Sequence, residues 1–293
     1  MRQVPLILFL AAAPLWAQFQ GFSREQLIKY TVKNPFERFP DGRPKVPDRY
    51  LKLLKGVSAE AIWGAMQTRG YLFHWEGGWK TAHPEKRLTG RAFTAQYMPV
   101  RSDVNELIEA DAKLAGLSDR VHTRVIDMLQ KGDVLVIDLF GKIAYGAMTG
   151  DNLTAAIVGA TGNGFVIDGS VRDLDGILEQ NVPVYFRDSH VLPLRDVMLT
   201  GVNVPIRIGS VTVMPGDLVV GDSEGVTFIP PPLVAEVAKE AQETELKDVW
   251  TKAKLSSGKY RSSQLYPAIK DPQLKKEYDS WLENKKKELT SRE

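Results

Sequence analysis

The chain contains no cysteine, which excludes a disulfide framework, a thiolate metal site, a cysteine nucleophile and a lipid anchor on an N-terminal cysteine. It also lacks an excess of either charge. Lys and Arg number 38 against 36 Asp and Glu, a net of +2, so there is no electrostatic footprint of a nucleic-acid binder, and a small molecule or a protein is the expected partner. Histidine is scarce: His74, His83, His122 and His190 are scattered, with no pair at the i, i+4 spacing of a helical metal site, and each reads as a surface or loop residue. Asp188, Ser189 and His190 are triad residue types, but sequence neighbours cannot take up triad geometry and no nucleophile elbow is present.

Long hydrophobic runs are missing except at the start. Arg2 precedes an apolar stretch from Val4 to Ala17 that turns polar at Gln18. The stretch is short of the roughly 20 residues that span a bilayer, and it has the layout of a secretory signal peptide, with cleavage expected after Ala17. A secreted or periplasmic protein is expected, with no membrane attachment after cleavage; an N-terminal core helix is the alternative reading of the stretch. Export without disulfides suits a periplasmic chain whose core is large enough to hold the fold alone.

Beyond the signal, residues 18–56 are rich in Pro, Arg and Lys and read as an arm lying on the main body, with a short helical pattern from Arg24 to Thr31. A main domain is expected over 57–232 and a helical extension over 233–293. Ser58 is placed to cap a helix carrying Ile62, Ala65 and Met66, and the FHWEGGWK segment after it reads as a loop. Trp63, Phe73, Trp75 and Trp79 cluster there and are expected to pack the arm or a neighbouring subunit, or to form a lid.

Short apolar runs then alternate with helical patterns at Asp103 to Leu114 and Leu153 to Gly159, as in an α/β domain. GRAFTAQYM, DVLVIDLF, GFVIDG, PVYF and VPIRI read as strands, being β-branched or aromatic and bounded by Gly, Pro or Asp. After Asn203 the PGD and GDSEG turns favour hairpins, so mixed sheets are expected. Past Pro232, Val234, Val237 and Ala241 begin an amphipathic helix, and a second starts near Pro272 and ends in a solvated Lys285-Lys286-Lys287 run. The amphipathic faces predict that the extensions thicken subunit contacts. Gly159, Gly162 and Gly164 follow a helix and precede a strand, the reverse of a dinucleotide site. No strand-to-helix glycine loop supports an S-adenosylmethionine methyltransferase either.

The segment with most chemistry runs from Gly150 to Asp173, GDNLTAAIVGATGNGFVIDGSVRD. Asp151 stands at a helix start behind small residues, and Arg172-Asp173 returns after about the length of one helix, one turn and one strand, so the two ends can meet at a sheet edge. Amides at such a helix start favour an anion, although Asp151 or Asn152 could simply cap the helix. Arg172 can hold a carboxylate, and Asp173 can bind a hydrated divalent cation; alone, an Arg-Asp pair is more often a surface ion pair.

With GRAFTA at Gly90, KGDVLVID at Lys131, GDN at Gly150, VIDGSVRD at Val166, VNVPIRIGSVTVMPGDLVVGD at Val202 and EGV at Glu224, nearly half the chain resembles the family of regulator of ribonuclease activity A and the 4-hydroxy-4-methyl-2-oxoglutarate aldolases. The resemblance implies an α/β fold of the β/β/α swivelling type, assembled as a homotrimer or hexamer with sites at subunit contacts. It also implies aldol cleavage or decarboxylation of a 2-oxo acid to pyruvate with Mg²⁺ or Mn²⁺. Carried over by position, the amides of Gly150, Asp151, Asn152 and Leu153 bind the substrate carboxylate, Arg172 contacts the substrate oxygens, Asp173 ligates the metal and Asp151 acts through water on the metal. The chain departs from the pattern where active members carry a further acid after the Arg-Asp pair. Positions 176 to 178 are Gly, Ile and Leu, with Asp175 one place early and Glu179 one place late. Asp222 or Glu224 could supply an acid from a neighbouring subunit, their simpler reading being a polar turn. A non-catalytic binding protein on the same scaffold is the alternative.

Overall fold

The computed structural model describes residues 21–290; residues 1–17, read from the sequence as a signal peptide, lie outside them. The nearly continuous apolar runs suit parallel strands buried on both faces. Four such strands, β3 (Leu88–Pro99), β4 (Asp133–Ala147), β5 (Phe165–Val171) and β6 (Val184–Ser189), are successively parallel. Short antiparallel strands flank them: β1 (Trp75–Glu76), β2 (Lys80–Ala82), β10 (Leu218–Gly221) and β11 (Val226–Ile229) complete the order β1-β11-β10-β3-β4-β5-β6-β2, and β7 (Val197–Val202) pairs with β3. The expected mixed α/β architecture is what the chain forms. VPIRI, however, gives only β8 (Ile206–Ile208), which pairs with β9 (Val211–Val213) in a separate hairpin. FHWEGGWK is not wholly a loop, since Trp75 and Glu76 pair with β11.

Alternation along the parallel strands divides the core. Leu135, Ile137, Phe165, Ile167 and Phe186 face one side, covered by α4 (Ser102–Leu114), α5 (Val121–Ile126), α6 (Asp151–Thr161) and α7 (Leu174–Glu179) through Ile108, Val125, Ile157 and Ile177. Val134, Val136, Val166 and Tyr185 face the other, against the β8–β9 hairpin.

The segments before and after the domain are built into it. The arm carries α1 (Arg24–Tyr30) and α2 (Asp48–Leu54), and its Arg43 is 1% exposed, between the rings of Phe39 and Phe93, with Nη1 donating to Asp133 at 3.1 Å. Ser58 caps α3 (Ala59–Gln67) as expected, accepting the Ala61 amide at 3.2 Å. At the other end α8 (Val234–Ser256) buries Val234, Val237, Ala238 and Ala241 against α2, α3 and β10. That face is therefore used inside the chain. The second half of α8, α9 (Ser262–Leu265) and α10 (Pro272–Thr290) form their own cluster around Trp250, Leu265, Leu274 and Tyr278. Of the lysine run, Lys286 reaches Glu243 of α8 at 2.7 Å.

Candidate active site

The ends of the Gly150 to Asp173 segment do meet. β4 bends where Asp138 Oδ1 accepts the Phe140 amide at 3.0 Å and Phe140 takes a left-handed φ of 44°, then runs on to Ala147. Beyond it Met148 N donates to Ser170 O at 3.0 Å and Arg172 N to Thr149 O at 2.9 Å. These two bonds staple the loop entering α6 to the loop leaving β5, at the carboxyl ends of parallel strands where open α/β sheets bind ligands.

Helix α6 begins at Asp151 rather than Leu153, with extended Gly150 at its cap position and no side chain capping it. Neither Asp151 nor Asn152 is the cap. Instead Asp151 Oδ1 accepts the amide of Asn152 at 2.7 Å, which takes that amide away from any ligand and leaves those of Asp151 and Leu153 as first-turn donors without an intrahelical partner. Just before them the Thr149 hydroxyl is buried with no hydrogen-bond partner among the described residues, an arrangement that costs free energy unless something polar meets it.

Asp173 lies directly over this terminus. A Cβ on Gly150 would sit 2.2 Å from Asp173 Oδ2 and 3.3 Å from Arg172 Cγ, so only glycine lets the carboxylate come this close. Asp173 also takes a left-handed φ of 52°, a conformation that costs a non-glycine residue on the order of 1–3 kcal/mol and clusters at functional sites. Arg172 Nε lies 3.4 Å from Asp173 Oδ2, with the two side chains 44% and 45% exposed. Asp173 is thus an accessible carboxylate, loosely paired, rather than half of a buried salt bridge.

The region of the further acid is also settled in space. Gly176, in the first turn of α7, packs on Asp151: a Cβ there would be 2.6 Å from Asp151 Cβ. Asp175 and Glu179 on either side are exposed. Asp222 is structural, buried and accepting the Ala59 amide at 2.8 Å and the Glu224 amide at 2.9 Å while pairing with Arg87. Glu224 is exposed at its turn. His122, read from sequence as an incidental surface residue, is half-buried in α5, where burial, then Arg120, then Arg172 hold its imidazole below the usual histidine range. Its electrostatic link to Arg172 depends on the packing of α5 beside α6.

A family model described as RraA-like, Aldolase/RraA, matches residues 59–228. The chain belongs to the RraA-like family. A relative from Halalkalibacterium halodurans, provisionally named a 4-hydroxy-4-methyl-2-oxoglutarate aldolase, is 35% identical over 117 residues, 40% of this chain and 55% of that protein. Protein DlpA of Legionella pneumophila is 29% identical over 217 residues, 73% of this chain and 32% of that protein. The chain thus spans about half the length of the first relative and a third of the second. Among solved structures, RraAS2 of Streptomyces coelicolor, described as an unusual member of the RNase ES inhibitor RraA protein family, superposes with a TM-score of 0.62 at 25% identity, covering 72% of this chain and all of that one. An uncharacterized protein of Pseudomonas syringae pv. tomato gives 0.61 at 27%, covering 77% and 94%. The RraA-like match spans every residue of the Gly150 to Asp173 edge and stops before α8.

A divalent metal, which the aldolase names raise, can be tested against these residues. Among the described residues no three Asp, Glu or His side chains gather as a metal-ligating group. The edge offers one exposed carboxylate, Asp173, and, at the residue before Gly150, an unpartnered Thr149 hydroxyl. One carboxylate with water in the remaining positions suits Mg²⁺, which dehydrates reluctantly, and Mn²⁺, which shares its oxygen preference. The residues fit such an ion.

Proposed function

We propose that this RraA-like chain is an exported, metal-dependent lyase that cleaves or decarboxylates a small 2-oxo acid to pyruvate, working as a homotrimer or hexamer. The observation that carries the proposal is the placement of the Asp173 carboxylate and the Arg172 guanidinium over the uncapped start of α6. The free first-turn amides of Asp151 and Leu153 receive the substrate carboxylate, since donors and dipole both favour an anion. Arg172 donates to the 2-oxo oxygen. As the bond between C3 and C4 breaks, its electron pair passes into the pyruvate fragment as an enolate, and the charge on that oxygen is stabilised by a donor already in place. In aldol cleavage the C4 hydroxyl loses its proton and becomes the second carbonyl; in decarboxylation carbon dioxide leaves; in both the enolate then takes a proton at C3. Asp151, at the mouth of the same terminus, holds the proton in transit. Asp173 would hold Mg²⁺ or Mn²⁺, which supplies Lewis-acid polarisation of the 2-oxo group when bound.

The experiment incubates the purified protein with Mg²⁺ or Mn²⁺ and oxaloacetate or 4-hydroxy-4-methyl-2-oxoglutarate and follows pyruvate. Release that stops on chelation and in Asp173→Asn supports a metal-dependent lyase. Release no faster than metal alone, for every 2-oxo acid tried, rejects it.

One observation favours a second reading. Glycine occupies position 176, against Asp151, where active members have an acid nearby, so the chain could bind an anionic ligand or a protein on the same scaffold without turning it over. Binding of pyruvate with no turnover of any 2-oxo acid would mark this case. Export, inferred from the Arg2 and Val4 to Ala17 pattern, would place either activity outside the cytoplasm; a fusion of residues 1–17 to an exported reporter checks it.

A further inference from the structure

Away from the Gly150 to Asp173 edge, α3, β1 and the β10–β11 turn border an open cleft of about 470 Å³ lined by Ala59, Glu60, Trp63, Trp75 and Glu224. It is within the size range of small-molecule sites, and its lining is unusual in having two indoles, two carboxylates and no cation. Both indoles are fixed. Trp63 Nε1 donates to Leu72 O at 3.0 Å. Trp75 lies in a slot made by two glycines, because a Cβ on Gly77 would be 2.6 Å from its Cη2 and one on Gly225 would be 2.8 Å from its Nε1. Trp75 nonetheless stays 38% exposed. Glu60 and Glu224 are exposed and take part in no ion pair among the described residues, while Arg87 and Arg69 on neighbouring segments are committed to Asp222 and to Glu236 and Glu240.

We infer that this pocket binds a small alkylated ammonium compound. Indole faces attract a cation through the ring quadrupole, and two uncompensated carboxylates add a negative field that repels anions such as the 2-oxo acids proposed for the other site. Three of the five lining residues are apolar, which favours a charge clothed in carbon over Mg²⁺, whose hydration shell is released only at high cost. Rigid walls mean little ordering is needed on binding. The pocket is independent of the lyase proposal, sharing no residue with the Gly150 to Asp173 edge.

The test is calorimetric titration of the full-length protein with choline and with its uncharged carbon analogue, 3,3-dimethyl-1-butanol. Choline is expected to bind saturably and about tenfold more tightly than the alcohol, roughly the discrimination that a cation–π contact with the two carboxylates beside it provides. The double variant Glu60→Gln/Glu224→Gln, with both changes at exposed positions, should lose about tenfold in choline affinity and gain nothing for the alcohol. Trp75→Leu should abolish binding, and Arg172→Ala should leave it unchanged. Equal affinity for alcohol and choline, no effect of the double charge removal, or no heat beyond dilution would each overturn the inference. Loss of choline binding in Arg172→Ala would overturn the independence of the two sites.

Discussion

At the scale of single residues, Gly150 is where the candidate site depends on the absence of a side chain. A methyl group there meets Asp173 Oδ2 at 2.2 Å, so Gly150→Ala is expected to push the carboxylate aside while leaving the fold intact. Pyruvate release should fall by about 10²-fold, the usual consequence of displacing a reacting group by an ångström, with the circular dichroism spectrum unchanged; full activity in this variant would show that Asp173 need not lie over the helix start. Asp217 offers a second check, on stability. Complete burial lifts its carboxyl to about 7 from the 3.8 of a free side chain. Between those values the native chain holds a proton that the unfolded chain has released, so stability from this group is greatest at low pH and is lost as pH rises through 7. Asp217→Asn, which can still accept the Met214 amide, should flatten that dependence and melt higher than the parent at pH 8 but not at pH 4. The sequence made Gly150, Asp151, Arg172 and Asp173 legible because their spacing counts out a helix and a strand. It hid His122, whose place near Arg172 depends on how two helices pack, and it left open whether Asp151 caps α6, which turned on one extended glycine.

At the scale of elements, the long apolar runs were readable and the short pieces were not. β3 to β6 stand out because two-sided burial requires continuous β-branched stretches. β7 did not, since Thr200 and Gly201 interrupt VMLTGV, and helices of six or seven residues such as α2, α5 and α7 carry too few turns to display a period. The two C-terminal helices announced themselves by spacing, but their partners could not be inferred, and much of the face read as an intersubunit surface covers α2 and α3. The arm is tied down by charge as well as by apolar contact. Arg43 and Asp133 are both buried, and removing the cation strands a carboxylate that burial already pushes above its usual range. Arg43→Met is therefore expected to cost about 3–5 kcal/mol in urea unfolding at pH 8, and less at pH 4, where the stranded carboxyl can be neutral. An equal loss at both pH values would mean that packing, not charge, holds the arm.

At the scale of the whole molecule, an RraA-like domain carries its candidate site on one edge while the added segments support another face. Deleting residues after Pro232 removes Val234, Val237, Ala238 and Ala241 from a shared core, so the truncated protein should unfold several degrees lower or aggregate. A truncation that melts with the parent and changes only its sedimentation would return these helices to a purely intersubunit role. The central claim is that the edge stabilises the enolate of pyruvate, and it can be measured without knowing the natural substrate. In D₂O with Mg²⁺ or Mn²⁺, the protein should exchange the methyl protons of pyruvate for deuterium, observed by proton NMR, with the exchange lost on chelation and lowered about 10²-fold or more in Arg172→Ala. Exchange at the metal-only rate, or exchange equally fast in Arg172→Ala, would contradict it.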